Sequence, residues 1–176
     1  MAELGSPIND AAWLQAVVRL YESPLLQYAA RLLGDAHRAQ DVTQDTLLQL
    51  CRQPRAAVEP NVRQWLFAVC RNRVTDVQRK EQRMRTLGEE QDQRLLSQEI
   101  DPAAAIERRE AAGQATAVLE TLPAAQQEVI RLKVQHGLSY REISAVTGLS
   151  VTNVGFLLHK GIKTLRERLA RGAEAG

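Results

Sequence analysis

Residues 138–169 read LSYREISAVTGLSVTNVGFLLHKGIKTLRERL, and their side chains suit recognition of a nucleic-acid duplex. Beyond Ser150, a helix would project Val151, Thr152, Asn153, Phe156, His159 and Lys160. Threonine and asparagine hydrogen-bond to base edges, and an apolar side chain can meet a thymine methyl. Against this, V-G-F-L-L from Val154 to Leu158 carries no charge where a basic side chain would be expected to reach the duplex. Earlier in the chain, Asp41 and Asp45 lie four residues apart and share a helix face. The helix VRQWLFAVCRNRVTDVQRKEQR turns basic in its later half.

None of these arrangements supplies covalent chemistry. The sequence has no Gly-rich phosphate loop and no nucleophile–base pairing. His37, His136 and His159 stand apart from Cys51 and Cys70, so neither a metal nor a cofactor is expected. In their apolar settings, LLQLC and LFAVC, the two cysteines read as free buried thiols.

The elements that must position these side chains read as helices almost throughout. Leu, Ala, Gln, Arg and Glu dominate, aromatics make up 4%, and no β-rich run appears, so the chain is expected to be all-α. Asn9-Asp10 forms a cap before AAWLQAVVRLY, and Pro24 permits a break or restart before LLQYAARLLG. Gly34 ends that run, and Asp35 caps a helix with Val42, Leu47, Leu48, Leu50 and Cys51 largely along one side. Pro54 and Pro60 bracket a loop, and the next helix is expected to bury Trp65, Leu66, Val69, Cys70 and Val77. From about Met84 to Ala105 the period fails, which fits an extended linker.

A helix resumes near Ile106, Pro123 suits the first turn of another, and Gly137 suits its end. Ser139 and Glu142 form a capping box, Gly148 allows a left-handed turn, and Ser150 caps the last helix. Helix, glycine turn, helix is the form of a DNA-binding helix-turn-helix, and an ordinary helical hairpin in a bundle shares it.

At 176 residues the chain suits one medium domain or two small ones. MAELGSPIND has no basic start followed by an apolar core, and no apolar run approaches the ~18 residues of a membrane span. A cytoplasmic protein without membrane insertion is expected. The formal net charge of +2 is segregated along the chain. Residues 62–87 hold 7 Lys/Arg against 2 Asp/Glu, residues 88–120 hold 3 against 8, and residues 121–176 hold 8 against 4. Two basic blocks flanking an acidic one suggest two polyanion-facing surfaces joined by a segment that avoids DNA.

The segment from Leu138 to Leu169 resembles region 4 of bacterial extracytoplasmic-function sigma factors. LYESPLLQYAARLLGDAHRAQDVTQDTLLQL resembles their regions 2.1 and 2.2, and NVRQWLFAVCRNRVTDVQRK resembles regions 2.3 and 2.4. Together these cover most of residues 14–170 in the family's order. The resemblance implies two small helical domains, region 2 over residues 1–84 and region 4 over 106–176, joined by a flexible acidic linker over 85–105. It further implies a transcription initiation factor, not an enzyme, that brings core RNA polymerase to promoter DNA at −10 and −35 elements.

On that resemblance, Asp41, Gln44, Asp45 and Leu48 dock on the β′ clamp coiled coil, and the β flap is a second polymerase contact. Arg71, Asn72, Arg73, Arg79 and Lys80 face the −10 element, with the loop Gln53–Asn61 placed to capture a flipped base. Val151, Thr152, Asn153, Phe156, His159 and Lys160 face the −35 element. An anti-sigma factor or a regulatory kinase is a further implied partner. Gln40 stands where the family commonly has glutamate, which directs attention to Thr43 and Thr46 as phosphorylation sites. Gly155, Phe156 and Leu157 occupy positions where relatives commonly carry Lys and Arg. Two other readings stay open: a stand-alone helix-turn-helix regulator, and a sigma-like protein that binds polymerase or an anti-sigma partner without opening promoters.

Overall fold

The computed structural model describes residues 7–86, 113 and 115–174, all helix, turn or coil without a strand among them. Contacts divide the chain into two units, Met1–Ser97 and Gln98–Gly176. The segment 85–105, expected to be a linker, lies outside the described residues except where the last helix of the first unit runs on to Thr86.

In the first unit, α1 (Pro7–Leu33), α2 (Ala36–Cys51) and α4 (Val62–Thr86) pack against one another. The sequence signals between α1 and α2 act locally and act as expected. Gly34 takes φ +65, and the Asp35 carboxylate accepts from Arg38 N at 3.0 Å. That backbone hydrogen bond holds the Asp35 carboxyl below its ordinary range. Two other signals act differently. The helix already begins at Pro7, so Asn9 and Asp10 lie inside it, and α1 runs through Pro24 without a break. Proline at 24 removes a single N–H, and neighbouring packing carries the helix across the gap. Leu25, Tyr28 and Ala29 just beyond it are buried, with Tyr28 edge-on to Phe67 of α4 at 5.3 Å.

The segment read as a loop between Pro54 and Pro60 forms a one-turn helix α3 (Arg55–Val58) and a 3-10 turn (Glu59–Asn61). Arg55 organises it. Its guanidinium donates to Glu59 at 2.9 and 2.6 Å, lies 3.7 Å from Asp10, and sits 5.4 Å from the Trp13 ring centroid. The Arg55 hydrogen bond lowers the Glu59 pKa. Between α1 and α4, Gln78 donates to the Leu32 carbonyl at 2.9 Å, and an ion pair joins Arg38 of α2 to Glu81 of α4.

In the second unit, α5 (residues 115–120), α6 (Ala124–Val134), α7 (Tyr140–Thr147) and α8 (Val151–Glu174) enclose Leu119, Leu122, Val129, Ile130, Leu132, Leu138, Ile143, Val146, Val154 and Leu158. The Gln127 amide reaches back to the Glu120 and Leu122 carbonyls at 3.0 and 2.8 Å, closing the end of α5. Arg168, late in α8, donates to Thr121 Oγ1 in the same turn. Where α8 crosses α6, a β-carbon on Gly161 would lie 2.7 Å from Ile130 Cδ1, so only glycine permits this approach without displacement.

Candidate nucleic-acid and protein interfaces

The α7–α8 corner is built by short-range hydrogen bonds. Ser139 Oγ accepts from Glu142 N at 3.2 Å, and the Glu142 carboxylate accepts from Ser139 N at 2.7 Å, completing the capping box. Gly148 turns the chain at φ +75. Ser144 donates to the Leu149 carbonyl at 2.6 Å, which ties α7 to the turn. Ser150 then caps α8 by accepting from Asn153 N at 3.2 Å. A helix so braced presents its N-terminal side chains in a fixed register.

All six residues singled out on α8 are exposed: Val151, Thr152, Asn153, Phe156, His159 and Lys160. Thr152, Phe156, His159 and Lys163 recur at helical spacing, with Asn153 and Lys160 along one flank. Phe156 is 60% exposed, and Lys160 Nζ lies 5.8 Å from its ring centroid. The uncharged run therefore serves two purposes. Val154 and Leu158, one turn apart, are 0% and 1% exposed and anchor α8 in the core. Gly155 lies on the flank of that anchor against Tyr140, one turn from the exposed Thr152 and His159. Leu157 is half-buried.

On α4, Asn72, Arg73, Arg79 and Lys80 are exposed, whereas Arg71 is half-buried on the shoulder of the helix. Asn72 and Arg79 share one line of the surface, as do Arg73 and Lys80, and Arg83 extends the first. Asp76, also exposed, sits between them one turn from Asn72, Arg73, Arg79 and Lys80, so the face is basic with an acidic centre. Trp65, expected in the core, is only half-buried and lies two turns before Asn72 on the same line, while Phe67 and Val74 take core positions with Leu66 and Cys70. Val69 and Val77 are half-buried too.

On α2, Asp41, Gln44, Asp45 and Leu48 form one exposed stripe, with Leu48 56% exposed. Leu48 thus parts from Val42 and Leu50, with which the sequence groups it along one side. So does Cys51, which is exposed one turn beyond Leu48, whereas Cys70 is buried as expected. The opposite side of α2 buries Ala39, Val42, Thr43, Thr46 and Leu50. Both threonines are satisfied internally. Thr43 Oγ1 donates to the Ala39 carbonyl and Thr46 Oγ1 to the Val42 carbonyl, each at 2.7 Å. Phosphorylation of either would place a dianion in the helix interface, so the folded unit offers a kinase neither hydroxyl. Thr46 also meets the Cys70 thiol, whose pKa burial pushes up to about 12.

Three residues with roles in these faces escaped the sequence reading. Tyr140 packs beside Gly155 with Lys133 Nζ 5.5 Å from its ring centroid, Gly161 sets the α6–α8 approach, and Trp65 surfaces on α4. The spacing of Trp65 from Asn72 was visible in the sequence, but the other two depend on a partner helix.

Residues 17–84 match the family described as Sigma-70 region 2, and residues 112–165 match Sigma-70, region 4. The chain is 31% identical over 167 residues to the ECF RNA polymerase sigma factor SigL of Mycobacterium tuberculosis, covering 92% of each chain. It is 28% identical to the ECF RNA polymerase sigma factor SigE of Mycolicibacterium smegmatis, over 95% of this chain and 68% of that one. Among solved structures, the sigma factor RpoE of Bartonella quintana, in complex with the anti-sigma factor NepR, has a TM-score of 0.63. That likeness covers 89% of this chain and 96% of the other at 24% identity, and is one of fold.

Proposed function

The chain belongs to the ECF RNA polymerase sigma factors, transcription initiation factors that direct core RNA polymerase to promoters, and from that premise we propose how its residues divide the work. Residues 1–84 act as region 2, residues 85–105 as an acidic linker and residues 106–176 as region 4. The stripe Asp41, Gln44, Asp45 and Leu48 docks on the polymerase β′ clamp coiled coil, two carboxylates meeting basic partners around an apolar anchor. Arg71, Asn72, Arg73, Arg79 and Lys80 contact phosphates and separated strand at the −10 element. Val151, Thr152, Asn153, Phe156, His159 and Lys160 read the −35 element.

The observation that carries this reading is the stripe on α2. Its apolar member, Leu48, is exposed one turn beyond Gln44 and Asp45 on a helix whose other side is packed, which sets an apolar contact beside two carboxylates. Tethering by polymerase raises the effective concentration of both units at the promoter, so each DNA contact can be weak in isolation. The bond-forming chemistry belongs to the polymerase. No helix among the described residues is long and apolar enough to cross a membrane, and the chain acts with polymerase on DNA, in the cytoplasm. An anti-sigma factor, as in the RpoE complex, is its regulatory partner.

Co-purification with core polymerase at fixed ionic strength tests the docking surface. The variant Asp41→Arg/Asp45→Arg replaces attraction by like-charge repulsion and is expected to lose the complex. Undiminished binding by the double variant would remove α2 from the interface.

A further inference from the structure

The proposed reading leaves open which base pairs α8 selects, and the exposed set narrows that choice. Over Val151–Gly161, the first three turns of α8, the chain has no arginine, the side chain whose fork pairs with both acceptors of guanine. The single cation there, Lys160, has its ammonium 5.8 Å from the Phe156 ring centroid. Gly155 has no side chain to contribute. The six exposed side chains there include an amide, Asn153, and a ring, Phe156, three residues apart on neighbouring lines of the helix. Such a pair is separated by about 5–6 Å at the β-carbons, or one to two base-pair steps of duplex.

An asparagine amide presents one donor and one acceptor, the complement of adenine N7 and N6 in the major groove. An aromatic ring has no hydrogen bond to offer a base edge, and its favourable partner in the groove is the thymine methyl. Ser150 caps α8 through the Asn153 backbone N–H and leaves the Asn153 amide exposed. Lys160 lies near one face of Phe156, and the ring is otherwise exposed.

We propose that this chain selects upstream promoter elements with an adenine facing Asn153 and, within about two base pairs, a thymine whose methyl packs on Phe156. This specificity rests on the assignment of α8 to the −35 element. Lys160, beside the Phe156 ring, is the one cation over these positions that can meet guanine, so guanine discrimination is expected to be weaker than an arginine fork would give.

The test uses the full chain assembled with core polymerase. Run-off transcription from a template library randomised over the upstream element would first identify the selected sequence. Each thymine in it is then replaced by uracil, which removes only the methyl group. For the wild type, one such replacement is expected to lower transcription roughly five-fold, the effect of losing a single base contact. For Phe156→Ala the same replacement is expected to have no effect, and Asn153→Ala should flatten the preference for adenine at one position. Both side chains are exposed, so neither variant threatens the fold. A guanine-led element without contacted adenine or thymine would overturn the proposal, as would indifference of the wild type to every uracil. A library showing no upstream selection at all would overturn the −35 assignment along with it, and is thereby distinguished from failure of the base preference alone.

Discussion

Tyr140 and Gly155 face each other across the α7–α8 corner, where a β-carbon on the glycine would lie 3.6 Å from Tyr140 Cε2. That distance is ordinary van der Waals contact. The glycine therefore leaves room that an alanine could fill without displacing the ring. A glycine inside a helix costs about 0.5–1 kcal/mol relative to alanine. Gly155→Ala is accordingly expected to stabilise the second unit by up to ~1 kcal/mol, read as a higher urea midpoint at unchanged slope. A lower midpoint would mean that Tyr140 must move. Gly155→Lys would emerge beside Tyr140, one turn from Thr152 and His159, and is expected to raise affinity for many duplexes with a salt slope steeper by about one unit.

The two cysteines differ in environment and should differ in reactivity. Cys70 is buried against Thr46 with its thiol pushed up to about 12, while Cys51 is exposed on α2. Since the thiolate is the nucleophile, a thiol reagent should label one cysteine in the folded chain and the second only on unfolding. Cys51 follows Leu48 by one helical turn, so a bulky adduct there is expected to weaken core polymerase binding, and Cys51→Ser treated alike should bind normally. Rapid labelling of both thiols in the native protein would contradict the packing of α2 on α4.

Burial lowers the His136 pKa below its ordinary 6.5, which fixes the sign of a pH effect. Well above 6.5 the imidazole is neutral folded or unfolded and makes no difference. As pH falls below that value the unfolded chain binds the proton first, so stability drops until the lowered folded pKa is passed. Denaturation at about pH 8 and about pH 5.5 should show a larger loss for the wild type than for His136→Gln. Equal losses would mean that His136 is as hydrated as in the unfolded chain.

What was legible in the sequence is what local chemistry decides. Asp35, Gly34, the Ser139–Glu142 box, Gly148 and Ser150 each act on the backbone within about one turn, and each does so here. Pro24 misled because packing of Leu25, Tyr28 and Ala29, in the turn that follows it, outweighs a single missing N–H. Cys51 and Trp65 misled for a different reason. Periodicity identifies apolar positions but not which of them a neighbouring helix covers, and an interface residue left uncovered looks the same in sequence as a core one. Thr43 and Thr46 are the converse, polar residues carried inside because each bonds to the preceding turn. Gly161 depends wholly on Ile130 of another helix, and nothing near it in sequence announces that.

The most direct test of the account is transcription itself. Core polymerase given the full chain should produce a run-off transcript from a promoter bearing the selected upstream element, and none without the chain. Asp41→Arg/Asp45→Arg should abolish the transcript from every template, whereas Phe156→Ala should spare polymerase binding and lose only the distinction between upstream elements. Transcription that survives charge reversal on α2, or sequence-specific DNA binding by the chain that is unaffected by polymerase, would contradict it.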